Sequence, residues 1–220
     1  MTEESPVSNG LKPVNKSLPA VNNTYNVDSK GDNNQIVAHA EKVEQTVQVF
    51  LPMSRGQDGG RRGGILCTLD LSHYQLFVVD GDAFRSTTGT FTVPKELALT
   101  DSITDDLKDK YSRLTHDAIE KIKTFPAIFA SLNKDFGSTE SEHMAAYGVV
   151  TDVSIQPNVI EISYHILQDI PQQVLNENMR ILGIAGVAHY NELNDPHWTI
   201  KKVNIIDALK PVGVGLLAIS

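Results

Sequence analysis

The chain has 220 residues, 40% hydrophobic and 21% charged, with a net charge of −8 and a single cysteine. That length supports one sizeable core with an appendage, and a lone thiol excludes an internal disulfide and any CxxC zinc site. The acidic excess falls entirely on residues 65–220, with twenty acids against twelve bases, while residues 1–64 carry seven of each; nucleic acid is therefore a disfavoured partner, because neutralising phosphates supplies most non-specific affinity.

The opening MTEESPVSNG is acidic and lacks an apolar signal core. Near the other end, VGVGLLAIS is shorter than the roughly 20 apolar residues a spanning helix needs. The expectation is a cytoplasmic protein with no membrane segment. Residues 1–34, rich in Asn, Ser and Pro, bury too little surface to offset ordering entropy and read as a disordered tail. Residues 35–55 differ in kind. Asn-rich turns precede the β-prone runs QIVAHA and TVQVFLP, and Val47, Val49 and Leu51 fall at period two. Such a segment is marginal alone and is expected to order by pairing, with the main domain, another copy or a partner, which makes these three residues candidates for assembly. GQDGGRRGG, within the linker 56–64, lacks the Lys-Ser/Thr end of a phosphate-binding loop and reads as flexible.

Residues 65–220 are expected to form an α+β domain. ILCTLDL, HYQLFVV and TGTFTVP predict a β meander over 65–94, with Asp-Gly in VVDGDAF marking a hairpin turn. Cys67 sits in the first run as an inert core thiol. Asp80 and Asp82 have the spacing of a phosphatase nucleophile pair, but without the parallel βα repeats that chemistry needs. The helical and β part spans 101–210. Asp101 or Ser102 caps a helix carrying Ile103, Leu107 and Tyr111; Thr115 caps a second carrying Ala118, Ile119 and Ile122. AAYGVVTDVSI and NVIEISYHI predict a hairpin turning at Gln156-Pro157-Asn158. In DIPQQVLNENMRILG, Asp169 lies near the N-cap, Val174, Leu175, Met179 and Leu182 form a stripe, and Gly183 stops the helix. WTIKKVNI reads as a strand and IIDAL as a closing helical turn. About three helices without regular βαβ alternation predict a mainly antiparallel sheet or a small, partly open barrel.

The pieces LTHDAIEKIKTFPAIFA, AAYGVVTDV, DIPQQVL and NELNDPHWTIKKVNIIDAL, between Leu114 and Leu209, resemble a module recurring in bacterial anti-phage and conflict-system proteins. The GDNNQI segment is similar to the short β-prone extensions that precede such modules. The resemblance implies an accessory role beside a separately encoded effector. It carries no established reaction and hence no catalytic residue.

The chemically richest stretch is HYNELNDPHW, residues 189–198. None of the seven histidines forms HxH or HExxH. His189 and His197, with Glu192 and Asp195, have the ligand types for an N/O metal site but no ligand periodicity. Asn191, Asn194 and Asp195 favour turns through local side-chain bonds, and Pro196 drives Asp195 extended. Trp198 then anchors a strand, its indole seeking Glu192 or a loop carbonyl. Asn191, Glu192, His197, Trp198 and Lys201 are the candidate recognition surface.

These readings make the chain a non-catalytic interaction, scaffold or recognition module of a defence system. It acts with a separately encoded protein partner, requires no cofactor and has a route to self-association through the N-terminal β segment. The alternatives are a metal-dependent hydrolase or nuclease using the 189–198 loop, and a barrel stacking single-stranded nucleic acid on Tyr147, Tyr164 and Trp198.

Overall fold

A computed structural model describes residues 46–52, 64–81, 84, 86–135, 137–187 and 189–216. The expected disordered tail, the assembly segment before residue 46 and after 52, the linker up to 63, and Asp82 lie outside the described residues.

Two strands, β1 (Thr46–Pro52) and β2 (Gly64–Asp70), form an antiparallel ribbon of their own. The main sheet uses β3 (Tyr74–Val79), β4 (Thr88–Pro94), β5 (Pro126–Ser131), β6 (Met144–Ile155), β7 (Val159–Pro171) and a C-terminal strand, His197–Lys201. Between β4 and β5 lie α1 (Asp105–Tyr111) and α2 (His116–Lys123). After β7 come α3 (Gln172–Glu177), α4 (Met179–Leu182) and a two-residue hairpin of β8 (Gly186–Val187) and β9 (Tyr190–Asn191). The His197–Lys201 strand is thus β10, and α5 (Ile205–Leu209) follows it. The sheet is a curled, mostly antiparallel half-barrel in the order β10-β3-β5-β6-β7-β4, so the α+β expectation holds. Among the described residues there are five short helices: the expected 169–183 helix starts only after Pro171 and breaks at Asn178 into two, and the expected closing turn IIDAL is the fifth.

The meander over 65–94 does not form. β2 pairs with β1, β3 lies between β10 and β5, and β4 pairs with β7 on the far edge. The Asp-Gly at 80–81 therefore closes no hairpin, although Gly81 does adopt φ 82°. β3 and β5 run parallel, which requires a long crossover; β4, α1 and α2 supply it. These pairings are non-local, and local turn chemistry carries no information about them. Where pairing is local the expectation holds: β6 and β7 form a hairpin, with Gln156 N–H donating to the Val159 carbonyl at 2.9 Å.

Strand alternation sends side chains to two cores. The concave face holds Phe77, Phe91, Phe129, Tyr164, Trp198 and Ile162, closed by Leu107 and Tyr111 of α1 and Ala118 and Ile122 of α2. Phe77 stacks on both Phe129 (centroids 5.3 Å apart, 10°) and Trp198 (5.2 Å, 21°), arrangements that add to area burial. Thr115 caps α2 as the sequence predicts, while α1 starts at Thr104 and Ser102 is left at φ 54°. The opposite face packs Tyr74, Leu76, Ile128, Tyr147 and Ile170 beneath α3, α4 and α5. Val49 and Leu51 are buried with Leu69, Leu71 and Val149. The β1 segment thus pairs within the chain, and these two side chains are not exposed to a partner.

Among the described residues, no helix is long and apolar enough to cross a membrane.

Candidate functional site

The 189–201 stretch folds as a turn locked by its own amides. Asn191 Oδ1 accepts from Leu193 N–H at 2.9 Å and Asn194 Oδ1 from Asn191 N–H at 3.1 Å, a reciprocal box around the 3-10 turn Glu192–Asn194. Neighbouring amides extend it. Asn191 Nδ2 donates to Asn176 Oδ1 at 2.9 Å, Asn176 and Asn133 exchange two bonds of 3.0 Å, and Gln172 Nε2 reaches the Ser131 carbonyl at 2.8 Å. This network joins the loop after β5, α3 and the turn before β10. Its members Asn133, Gln172 and Asn176 are spread over the sequence with no shared spacing, and none had a signal of its own.

β10 then alternates. Trp198 and Ile200 enter the concave core; His197, Thr199 and Lys201 take the other face, opposite Val78, Leu76 and Tyr74 of β3. Lys201 Nζ donates to Glu192 Oε1 at 2.5 Å and to the Ser102 carbonyl at 2.8 Å. Both side chains of the ion pair are buried, at 7% and 5% exposure. Burial pulls Lys201 below its ordinary value, against the pull of Glu192. His197 Nδ1–H donates to the Asp195 carbonyl at 2.8 Å, which fixes the tautomer and leaves Nε2 as an acceptor. Nε2 is buried with no partner among the described residues, and burial holds the imidazole below its ordinary range and hence neutral. An unsatisfied buried acceptor costs about 1–3 kcal/mol.

All five residues of the expected recognition surface, Asn191, Glu192, His197, Trp198 and Lys201, are therefore buried. Trp198 is fully enclosed and its indole N–H finds neither Glu192 nor a loop carbonyl. The metal candidates also separate: His189 is exposed on the β8–β9 turn, Asp195 accepts from the Tyr190 hydroxyl at 2.7 Å, and Glu192 is committed to Lys201. Among the described residues no three His, Cys, Asp or Glu side chains gather as ligands. Tyr147, Tyr164 and Trp198 are at most 3% exposed, so no aromatic platform for bases exists among them.

A second polar cluster, invisible to motif reading, lies after β2. Ser72 Oγ is 2.5 Å from Asp70 Oδ1 and 2.7 Å from His73 Nδ1, and Lys121 Nζ donates to Asp70 Oδ2 at 2.7 Å. The serine faces the carboxylate directly, and Asp70 also accepts from Ser72 N–H at 2.9 Å. That is a capped turn, whereas nucleophile activation needs the imidazole between acid and serine.

One concave feature among the described residues is the seam of the half-barrel. β4 and β10 are the two ends of the sheet and do not pair. From β4 the chain turns through Lys95–Leu97 and runs along β10, where Leu99 N–H donates to the Trp198 carbonyl at 2.8 Å and Thr199 Oγ1 to the Ser102 carbonyl at 2.9 Å. This segment covers the β10 edge, as exposed strand edges require. Beside it a cavity of about 520 Å³ opens between Phe91–Pro94 of β4, Val78–Asp80 at the end of β3, Leu97, and Pro196 and His197. Its size is that of a small-molecule site. Its walls are apolar apart from Asp80, Thr92 and His197. A smaller hollow of about 380 Å³ near Phe84, Met144 and Ile166 has polar side chains, Ser86, Thr87 and Asp169, that are all exposed. Of the residues singled out in the sequence, His197 and Asp80 border the seam. The remaining walls come from segments far apart in the chain, brought together only by the sheet order.

Comparison of the chain with protein-family models, curated proteins and solved structures finds no match.

Proposed function

We propose that this chain is a non-catalytic recognition module of a bacterial anti-phage defence system, working in the cytoplasm beside a separately encoded effector, with the β4–β10 seam as its working surface. The observation that carries the non-catalytic reading is the use of the polar residues between 189 and 201: Glu192, Lys201, Asn191 and Asn194 are each engaged in holding the turn and β10 in place. What faces solvent beside them is an apolar cleft whose exposed polar side chains are the Thr92 hydroxyl and the Asp80 carboxylate. Such a lining suits binding with a few orienting contacts. The defence setting and the effector rest on the resemblance of residues 114–209 to modules of conflict systems.

Co-expression with each protein encoded beside it tests the reading. The expected result is one neighbour co-purifying at fixed stoichiometry, with no hydrolysis of phosphodiester or peptide substrates by the isolated chain in zinc or manganese. Turnover by the isolated chain that survives repurification, with no neighbour retained, would overturn it.

A further inference from the structure

We propose that the outer edge of β4 pairs with the same edge of a second copy of this chain, antiparallel about Thr90, so that two half-barrels join through one continuous sheet. The inference is independent of the defence reading and holds or fails for the isolated chain.

The phase of the ladder between β4 and β7 carries it. Thr88 lies opposite His165 and Pro94 opposite Val159. Just outside these pairs, Ile166 N–H donates to the Thr87 carbonyl at 2.7 Å and Lys95 N–H to the Asn158 carbonyl at 3.2 Å. Bonds made by the flanking residues mark both as pairs that exchange no bond themselves, and alternation between them gives the bonds to β7 to Gly89, Phe91 and Val93. The N–H and carbonyl groups of Thr88, Thr90 and Thr92 therefore point away from β7, at the end of the sheet, where no other described strand pairs with β4. All three threonines are exposed. A row of outward main-chain donors and acceptors is matched by another extended backbone.

The rest of the sheet decides which backbone that is. The segment after Leu97 covers the β10 edge, with Leu99 N–H donating to the Trp198 carbonyl, so β4 is the open end of the six-stranded sheet. Between copies of that sheet β4 can meet only β4, a two-fold contact that closes at two copies. About Thr90 the edge is its own complement: Thr90 faces Thr90 of the second copy and Thr88 faces Thr92 of the second copy, each pair exchanging both main-chain bonds and setting β-branched side chains side by side. The strand TGTFTVP carries no charge to repel its copy, its register is unbroken by a bulge, and its one proline stands at the end, so the usual guards of an edge strand are missing.

Sedimentation of the full chain between about 10 µM and about 1 mM is expected to show monomer and dimer in exchange, as suits a contact of one strand. Thr90→Pro removes an outward donor and leaves every bond to β7, the position where an edge strand tolerates proline. It is expected to weaken the dimer about tenfold or more with the melting temperature little changed, whereas Thr90→Ala, which keeps the backbone, stays within about threefold of wild type. Amide exchange of the unsubstituted chain reads the register directly. Exchange at Thr88, Thr90 and Thr92 is expected to slow as concentration rises, while Gly89, Phe91 and Val93 are slow throughout. A monomer at every concentration, or a dimer whose three threonine amides exchange as fast as the monomer's, overturns the proposal. Slowing of those amides only when an effector is added assigns the edge to a strand of the effector and overturns self-pairing.

Discussion

Lys201 donates to Glu192 Oε1 at 2.5 Å, with both side chains almost wholly removed from solvent. Breaking one half of a buried pair strands the other charge and costs about 3–5 kcal/mol, whereas replacing both by apolar groups of similar volume is often neutral. Glu192→Ala is therefore expected to lower unfolding free energy by about that amount, and Glu192→Leu with Lys201→Met by much less. Urea denaturation of the two variants checks this. A double variant as unstable as Glu192→Ala would show that the pair itself, rather than the orphaned ammonium, stabilises the turn.

Tyr147 is fully buried in β6 and its hydroxyl has no partner among the described residues. Burial pushes the phenol up to about 12. The folded state thus holds its proton more tightly than the unfolded chain, so this contribution is present below the ordinary value of 10.0 and is lost as pH rises towards 12. Tyr147→Phe removes an unsatisfied polar atom without changing ring shape. It is expected to stabilise by roughly 1 kcal/mol and to flatten the alkaline fall in stability, read from thermal melts between neutral pH and pH ~11.

On the acid side two steps are expected. Burial holds His143, His165 and His197 below the ordinary 6.5, so the unfolded chain takes up protons first and stability falls as pH drops below that value. At Asp70 burial opposes ionisation, but hydrogen bonds from Lys121 and Ser72 outweigh it and hold the carboxyl at about 2. Its contribution is present above the ordinary 3.8 and is lost as pH falls towards 2. Because Lys121 is 39% exposed, Asp70→Asn is expected to cost only about 1 kcal/mol at neutral pH, and to remove the second step while leaving the first.

Gly148 sits where β6 and β7 slip register, and a Cβ there would lie 2.2 Å from the His165 carbonyl oxygen. The clash is with backbone, so relief requires moving a strand. Gly148→Ala is expected to destabilise by about 2 kcal/mol or more, as overpacking in a rigid core does. Gly81→Ala meets no atom within 4 Å and is expected to cost less, through its φ of 82° alone. Comparing their melting temperatures separates steric from conformational cost.

Signals that act within a few residues are legible in the sequence. Thr115 caps α2, Gln156 to Asn158 turn a hairpin, Gly183 stops α4 in the left-handed region, and the Asn-Asp-Pro run shapes the turn that Trp198 anchors. Each depends on contacts within a few residues. Strand order does not: β3 lies beside β5 and β10, across crossovers that no dipeptide encodes. The same limit explains the site. A histidine, a glutamate and a tryptophan close together resemble chemistry on paper, but period-two alternation sends His197 and Trp198 to opposite faces, and Glu192 turns to Lys201. The seam cavity, built from residues 78–80, 91–97 and 196–197, has no sequence signature because it exists only once the two sheet ends approach.

The proposed working surface is the seam between β4 and β10. Thr92 is exposed on β4 and lines the cavity, so Thr92→Trp fills it without entering the core, while Arg180→Trp places the same bulk on exposed α4. The direct measurement is the dissociation constant of the co-purifying effector for the wild-type chain and both variants. The account predicts about tenfold or greater weakening for Thr92→Trp, the scale of a lost central contact, and none for Arg180→Trp. Equal affinity of Thr92→Trp and wild type, with both folded, would contradict it.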